Sequence, residues 1–181
     1  NEFVEKVLPT FASRVIFYDR TQPLFGAFDL DNQVDAVNQP EVTLPSGGSI
    51  VINMTEAIVA VDVNSGRSTR QSDVEETAFN TNREAAIEIA RQLRLRDLGG
   101  LIVIDFIDMG DKRHKQIVER ALREAVRFDK AKVEIGRISK FGLLEMSRQR
   151  IKASLVSQSH VVCPHCSGRG LVKTAETAAL E

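Results

Sequence analysis

Apolar and polar positions follow a strand-like pattern in the central part of the chain. The segments Val42–Leu44, Ser49–Asn53 and Ala57–Val63 are short, largely apolar and rich in β-branched residues, so they predict three β-strands. Pro45–Gly48 separates the first two segments, and its glycines are typical of a tight turn. This region therefore predicts part of a β-sheet.

Two longer segments have helical periodicity. Ser72 and Glu75 have the spacing of a capping box, which predicts a helix that runs to about Leu98 and ends at Gly99-Gly100. Asp111–Phe128 predicts a second helix, because its apolar residues form one stripe while Lys and Arg occupy the other positions.

Three further segments predict strands after these helices begin. Leu101–Phe106 is a continuous apolar run bounded by glycine, which predicts a strand buried on both faces. Lys132–Arg137 and Leu143–Arg148 predict two more strands. The alternation of strands and helices indicates an α/β domain with a layered sheet and flanking helices.

The first 39 residues have no clean periodicity. Arg14–Tyr18 and Leu24–Leu30 are candidates for short strands, and Asp31–Gln39 is a candidate for a short helix.

Composition excludes several classes of protein. The chain has 181 residues, of which 43% are hydrophobic and 27% charged, which is typical of a folded domain and not of a disordered or fibrous chain. Its apolar runs are much shorter than the roughly 20 residues needed to span a bilayer, and no signal sequence is evident. We therefore expect a soluble, cytoplasmic protein without a membrane segment.

The net charge of −1 hides a strongly basic segment. Residues 112–152 contain thirteen Lys or Arg and five Asp or Glu, a balance of +8, whereas residues 1–62 contain three and nine, a balance of −6. Clustered cations, with Lys112 at the beginning of the segment, are typical of a surface that contacts a polyanion. A solvated helix face with its own ion pairs is an equally good interpretation from charge alone.

Asp62 and Asp105 each interrupt an apolar strand near its C-terminal end. The strand–helix–strand order makes the two strands parallel, so both carboxylates lie at one edge of the sheet. They repel each other unless a cation lies between them, and Mg²⁺ prefers one or two carboxylates with water and a phosphate. For either aspartate alone, a helix cap or a turn is the favoured interpretation, but the pair favours a metal site.

Other residues extend this candidate site. Asn64 projects from the same strand face as Asp62, and Arg67 and Arg70 follow in a loop that suits phosphate oxygens or is merely solvated. Asp108 is a weaker candidate, because a continued strand places it opposite Asp105. His114 is expected to be a solvated residue of the basic helix. No Ser-His-Asp, Cys-His or phosphate-loop motif is present, which argues against nucleophilic side-chain catalysis.

Cys163 and Cys166 are the two cysteines of the chain and have the C-x-x-C spacing of half a tetrahedral zinc site. If the site takes four sulfurs, a second chain must supply the other two, which makes the metal a clasp between subunits. A redox role is the rival interpretation, but no thioredoxin-like context is evident.

The sequence also resembles the catalytic region of the bacterial ribonuclease E/G family from about Val42 to Val172. The motifs that carry the resemblance are Leu44–Gly48 (LPSGG), Val61–Arg67 (VDVNSGR), Glu75–Asn82 (EETAFNTN), Leu98–Asp108 (LGGLIVIDFID), Phe141–Arg150 (FGLLEMSRQR) and Cys163–Cys166 (CPHC). The C-P-x-C link is closer to the ribonuclease E type than to the similar ribonuclease G type.

The resemblance implies three parts. Residues 1–40 would be the last part of a ribonuclease H-like subdomain, residues 41–155 a deoxyribonuclease I-like catalytic subdomain, and residues 156–181 the zinc link and tail. It also implies that Asp62 and Asp105 hold Mg²⁺ with Asn64 in support. Cys163 and Cys166 would hold one Zn²⁺ shared with a second chain.

The function implied is metal-assisted cleavage of single-stranded RNA, with Arg67, Arg70 and Lys112 on the RNA backbone. Family members also carry an oligonucleotide-binding barrel and a 5′-phosphate sensor, for which 181 residues leave no room, so we expect a catalytic-site fragment of an RNA-processing and RNA-decay endoribonuclease. The parent would belong to an RNA-degrading assembly. An alternative is a non-catalytic module for RNA contact and zinc-mediated oligomerisation.

Overall fold

The computed structural model describes residues 2–66 and 74–152, together with residues 161, 163, 164, 168 and 170. The chain divides into two units, Asn1–Ala36 and Val37–Glu181. The predicted boundaries at residues 40 and 155 and the deoxyribonuclease I-like assignment stay predictions.

The beginning of the chain is helical. It contains α1 (Glu2–Val7), a 3-10 helix (Pro9–Arg14), α2 (Leu24–Ala27) and α3 (Leu30–Asn38), and none of their residues is buried. The expected helix at residues 31–39 is confirmed, but the two expected strands are wrong. Residues 15–18 pair with no strand in the described part of the chain, and Leu24–Ala27 form a single helical turn whose N-cap is Pro23.

A six-stranded mixed sheet forms the larger unit. Its strands are β1 (Glu41–Thr43), β2 (Ser49–Met54), β3 (Ile58–Asn64), β4 (Gly100–Asp105), β5 (Val133–Ile135) and β6 (Leu143–Arg148). Their order is β1-β2-β3-β4-β6-β5, and only the β3–β4 pair among them is parallel. The α/β layered architecture predicted from the sequence is confirmed.

Two helices cover one face of this sheet. The first, α4 (Val74–Leu95), connects β3 to β4 and packs against β2 and β3, and the second, α5 (Lys112–Val126), packs against α4. The α4 helix ends before the expected Gly99-Gly100 stop, because Asp97 takes a left-handed conformation with φ of 53°.

Burial alternates along the strands, so the core lies on one side of the sheet. In β4, Ile102 and Ile104 are fully buried, whereas Leu101 is 49% exposed and Asp105 is exposed. The expectation that this strand is buried on both faces is therefore wrong. The residues of β4 are apolar on both faces, so the hydrophobic periodicity of the sequence does not show which face the helices cover.

The core joins the helices to the covered face. Val118 and Leu122 of α5 and Ile89 of α4 are fully buried in one cluster with Val61 and Ile104 of the sheet. The opposite face, which carries Asp62 and Asp105, remains exposed. No helix in the described part of the chain is long and apolar enough to cross a membrane.

Candidate metal centre

Asp62 and Asp105 are direct neighbours across the parallel pair of strands. They are register partners at the C-terminal ends of β3 and β4, and both are exposed. The convergence expected from the strand–helix–strand order is therefore present in the structure. It places two carboxylates at the sheet edge where open α/β sheets bind ligands.

Asn64 belongs to the same group of side chains. Its Nδ2 donates a hydrogen bond to Oδ2 of Asp62 at 3.0 Å. The predicted turn at residues 45–48 packs against this strand end, because a Cβ on Gly48 would lie 2.6 Å from the carbonyl oxygen of Asn64. The turn glycine therefore allows the close backbone approach that fixes the end of β3.

These residues line an open depression of about 450 Å³, which we call the carboxylate depression. Its polar and aromatic lining includes Asp62, Asn64, Asp105, Asp108 and Phe141.

Asp108 lies on the same side as Asp105, which corrects the expectation that it points away. The chain leaves the sheet after Asp105, so strand alternation no longer applies at residue 108. Gly142 is packed against both residues: a Cβ there would lie 3.2 Å from Oδ1 of Asp108 and 3.8 Å from Oδ1 of Asp105. Three carboxylates therefore share one depression.

Their charges are not balanced by a described cation. Partial desolvation raises the pKa of Asp105, and the neighbouring Asp62 and Asp108 raise it further. No Lys or Arg lines the depression in residues 2–66 and 74–152. Crowded carboxylates beside open solvent fit a hard divalent cation that completes its shell with water. Within the described residues, no group of three or more His, Cys, Asp or Glu side chains is placed to hold a metal ion, so a site here would depend on the pair of Asp62 and Asp105 with water as the other ligands.

Asn82 holds the loop between Asp105 and Asp108, and sequence reasoning missed it. This fully buried side chain donates to the carbonyl of Ile107 at 2.8 Å and accepts from its N–H at 3.0 Å. The available signal was an amide on the buried side of a helix, because a buried polar group needs partners. Asn82 thus fixes the segment that presents the two aspartates.

Glu75 and His114 connect the starts of the two long helices. Glu75 accepts hydrogen bonds from the N–H groups of Gly110 and Asp111 at 2.8 and 3.2 Å, and Nδ1 of His114 lies 2.8 Å from Glu75 Oε1. The Gly110 hydrogen bond, followed by those of His114 and Asp111, lowers the pKa of Glu75 against the opposing effect of burial. The capping partner expected for Glu75, Ser72, lies outside the described residues.

His114 is a structural residue and not the solvated one expected. Its ring stacks on Phe79 with 4.3 Å between centroids, and its side chain is 22% exposed. The helical pattern placed it on the polar side, but the start of α4 covers it.

The remaining predicted site residues lie elsewhere or are not described. Arg67, Arg70 and Cys166 lie outside the described residues, and Cys163 is an exposed free thiol. Lys112 is exposed at the first position of α5 and lines a different depression from Asp62 and Asp105.

Comparison with known proteins relates this geometry to a family. The model of the ribonuclease E/G family matches residues 1–151. Ribonuclease E of Escherichia coli K12 is 60% identical over 172 residues, which are 95% of this chain and 16% of that relative. Ribonuclease E of Haemophilus influenzae is 57% identical over 179 residues, or 99% of this chain and 19% of the relative.

A ribonuclease G is also similar. The protein of Escherichia coli K12 is 42% identical over 183 aligned residues, which cover 99% of this chain and 37% of the relative. The chain thus spans less than a fifth of these two ribonuclease E relatives. The family model covers most of the chain, including every described residue of the carboxylate depression, and the chain belongs to the ribonuclease E/G family.

Proposed function

We propose that this chain supplies the metal-dependent catalytic centre of an endoribonuclease that cleaves single-stranded RNA during RNA processing and decay. The observation that carries the proposal is the register pairing of Asp62 with Asp105 at one sheet edge. Membership of a family whose relatives are named ribonucleases supports the same reaction class.

The chain's own residues divide the work at this site. Asp62 and Asp105 would hold Mg²⁺, which supplies positive charge at the phosphoryl oxygens and lowers the pKa of water. Asn64 restrains the Asp62 carboxylate through its hydrogen bond, and Asn82 restrains the loop that follows Asp105. Asp108 adds a third negative charge beside the pair. By holding the ion in place, these residues would direct positive charge to where negative charge develops in the transition state.

The depression suits a single strand better than a duplex. It is open to solvent, and the ring of Phe141 at its rim is 69% exposed. An exposed aromatic ring beside the reacting phosphodiester offers a stacking surface to an unpaired base.

The test is cleavage by a chimera in which this chain replaces the matching segment of Escherichia coli ribonuclease E. Asp62→Asn or Asp105→Asn should lower the cleavage rate of an unstructured RNA by at least about a hundredfold while the fold remains intact by circular dichroism. Glu134→Gln is the matched control, since Glu134 is exposed and makes a surface ion pair with Lys132. Full cleavage by both aspartate variants would overturn the proposal.

We also propose that Cys163 and Cys166 bind one Zn²⁺ jointly with a second copy of the chain. The exposed, free Cys163 thiol and the C-x-x-C spacing support this clasp. Metal analysis and light scattering on the 181-residue chain should show one zinc per two chains and dissociation after chelation. A zinc-free monomer, or a dimer that persists in Cys163→Ser, would contradict it.

A further inference from the structure

A basic groove lies between α5 and the loop from β5 to β6. It encloses about 690 Å³, and its charged lining consists of Lys112, Lys115, Glu119, Arg123, Arg137 and Lys140. Five cations therefore face one carboxylate.

Two of these charged residues hold the groove together. Arg123 donates to the carbonyl oxygens of Ile135 and Gly136 at 3.3 and 2.6 Å, and Glu119 accepts from the N–H of Ile138 at 2.9 Å. All three hydrogen bonds tie the helix to the facing segment, so they hold the two walls of the groove together. The one carboxylate of the groove is committed to this structural role.

Among the described residues, the other cations of the groove have no acidic partner. Lys112, Lys115, Arg137 and Lys140 make no ion pair with any residue in the described ranges. Four positive charges around one groove attract phosphate groups strongly, because binding releases the counterions that accompany the phosphates.

The basic groove adjoins the carboxylate depression at two places. Gly110 lines the groove and follows Asp108, which lines the depression, by two residues. On the opposite wall, Lys140 of the groove immediately precedes Phe141 of the depression, and its Nζ lies 4.8 Å from the centroid of the Phe141 ring. Lys140 and Phe141 therefore connect the basic groove to the carboxylate depression along this wall.

We propose that the basic groove binds the phosphodiester backbone of single-stranded RNA next to the bond that is cleaved, with one base stacked on Phe141. The inference rests on the proposed function, because it takes the carboxylate depression as the cleavage site. A positively charged track beside an aromatic platform is the arrangement by which proteins bind single strands without reading sequence. An acidic peptide would match the charge of the groove but would leave the exposed ring without a stacking partner.

The experiment measures fluorescence anisotropy of a labelled, unstructured RNA with the 181-residue chain in EDTA, where cleavage is blocked. The groove variant is a triple substitution, Lys112→Gln, Lys115→Gln and Arg137→Gln. The control variant removes the same charge from exposed positions outside the groove, Arg113→Gln, Arg127→Gln and Lys130→Gln.

The slope of log affinity against log salt should fall by about 2 in the groove variant, since each lost phosphate contact on a single strand removes about 0.7. The control should keep the wild-type slope. Equal losses in both variants, absence of RNA binding by the wild type, or displacement of the RNA by polyglutamate of equal charge would overturn the proposal.

A second measurement tests the stacking step. Phe141→Ala should weaken binding of the RNA about tenfold and leave binding of an abasic strand of the same length unchanged. An equal loss on both strands would refute the stacking role. If RNA binding depends on the groove but the chimera does not cleave RNA, only the proposed function is refuted. If the chimera cleaves RNA but binding does not depend on the groove, only this inference is refuted.

Discussion

The side-chain amide of Asn82 pairs with both backbone polar groups of Ile107, across 25 residues of sequence. The two hydrogen bonds have the pattern of a backbone pair in a β-sheet, although β4 has already ended at Asp105. It connects the middle of α4 to the loop between Asp105 and Asp108, so packing of the helix is transmitted to the candidate metal centre.

Asn82→Ala should lower the free energy of unfolding by about 3 kcal/mol, because both Ile107 groups lose their partner in a buried site. Thermal or urea denaturation measures this loss. Asn80→Ala is the control: Asn80 makes one i,i+4 hydrogen bond to Glu76 on the helix surface, and its loss should cost about 0.5 kcal/mol or less. Similar losses in the two variants would show that the Ile107 pairing contributes little.

Gly142→Ala should disturb the candidate metal centre directly. Gly142 has φ of +82°, and an added Cβ would lie 2.9 Å from the carbonyl oxygen of Phe106 and 3.2 Å from Oδ1 of Asp108. Gly47→Ala is a matched control, because Gly47 has φ of +86° and nothing within 4 Å of the added Cβ. Both variants should lose about 1 kcal/mol for the left-handed backbone, and only Gly142→Ala should lose more and cleave more slowly. Identical unfolding midpoints and cleavage rates would contradict this.

Magnesium should stabilise the folded chain through the same carboxylates. At a free Mg²⁺ concentration ten times the dissociation constant, the free energy of unfolding should rise by about 1.4 kcal/mol, because the ion binds the folded state. Thermal melts with and without EDTA measure the change. Asp105→Asn should abolish the magnesium effect. It should not lower the midpoint of thermal unfolding in EDTA, because it also removes a carboxylate whose charge is disfavoured by desolvation and by the neighbouring Asp62 and Asp108, which raise its pKa. An undiminished magnesium effect in this variant would place the ion elsewhere.

The pairing of Asp62 with Asp105 could be predicted because it follows from chain order: a strand, a helix and a strand give parallel neighbours, and each aspartate interrupts an apolar run. The contributions of Asn82 and Gly142 could not be predicted in the same way. The role of Asn82 depends on which position of α4 faces the loop at Ile107. The role of Gly142 depends on its close approach to Phe106 and Asp108, which are far from it in the sequence. Neither hydrophobic periodicity nor composition contains this information.

Charge counting had a similar limit. For the basic segment of residues 112–152, charge alone left a polyanion-facing surface and a solvated helix face with its own ion pairs as equal interpretations, and the structure divides its cations by role. Arg148 is 4% exposed and binds Asp129, whereas Lys112, Lys115 and Arg137 line the basic groove. Arg148 is buried because of the register of β6, and residue type alone does not distinguish it from the cations of the groove.

Arg148 and Asp129 form a buried ion pair whose side chains are each 3% exposed. Nε and Nη2 of Arg148 donate to the two carboxylate oxygens at 2.8 and 3.1 Å, and Nη1 donates to the carbonyl of Leu98 at 2.8 Å. Burial raises the pKa of Asp129, but the hydrogen bonds from Arg148 and Ala131 and the nearby positive charges outweigh it and leave this pKa below 3.8.

Asp129→Asn should therefore lower the free energy of unfolding by about 3 kcal/mol at neutral pH, because it leaves the buried Arg148 with only the more distant Asp97, 3.6 Å from its Nη1, as a countercharge. The control Glu134→Gln removes an ion pair whose side chains are 78% and 71% exposed and should change the free energy by less than about 1 kcal/mol. Urea denaturation of both variants measures the difference.

The loss in Asp129→Asn should also depend on pH in one direction. Because the folded-state pKa of Asp129 is lower than the unfolded value near 3.8, its carboxylate stabilises the fold at pH above 3.8. That stabilisation disappears as the pH falls from 3.8 through the folded-state pKa, so the wild type and the variant should converge in strong acid. Urea denaturation at intervals between pH 7 and pH 2 should give a constant difference above about pH 5 and a shrinking one below it. A difference that stays constant down to pH 2 would show that the charge on Asp129 is not what holds Arg148.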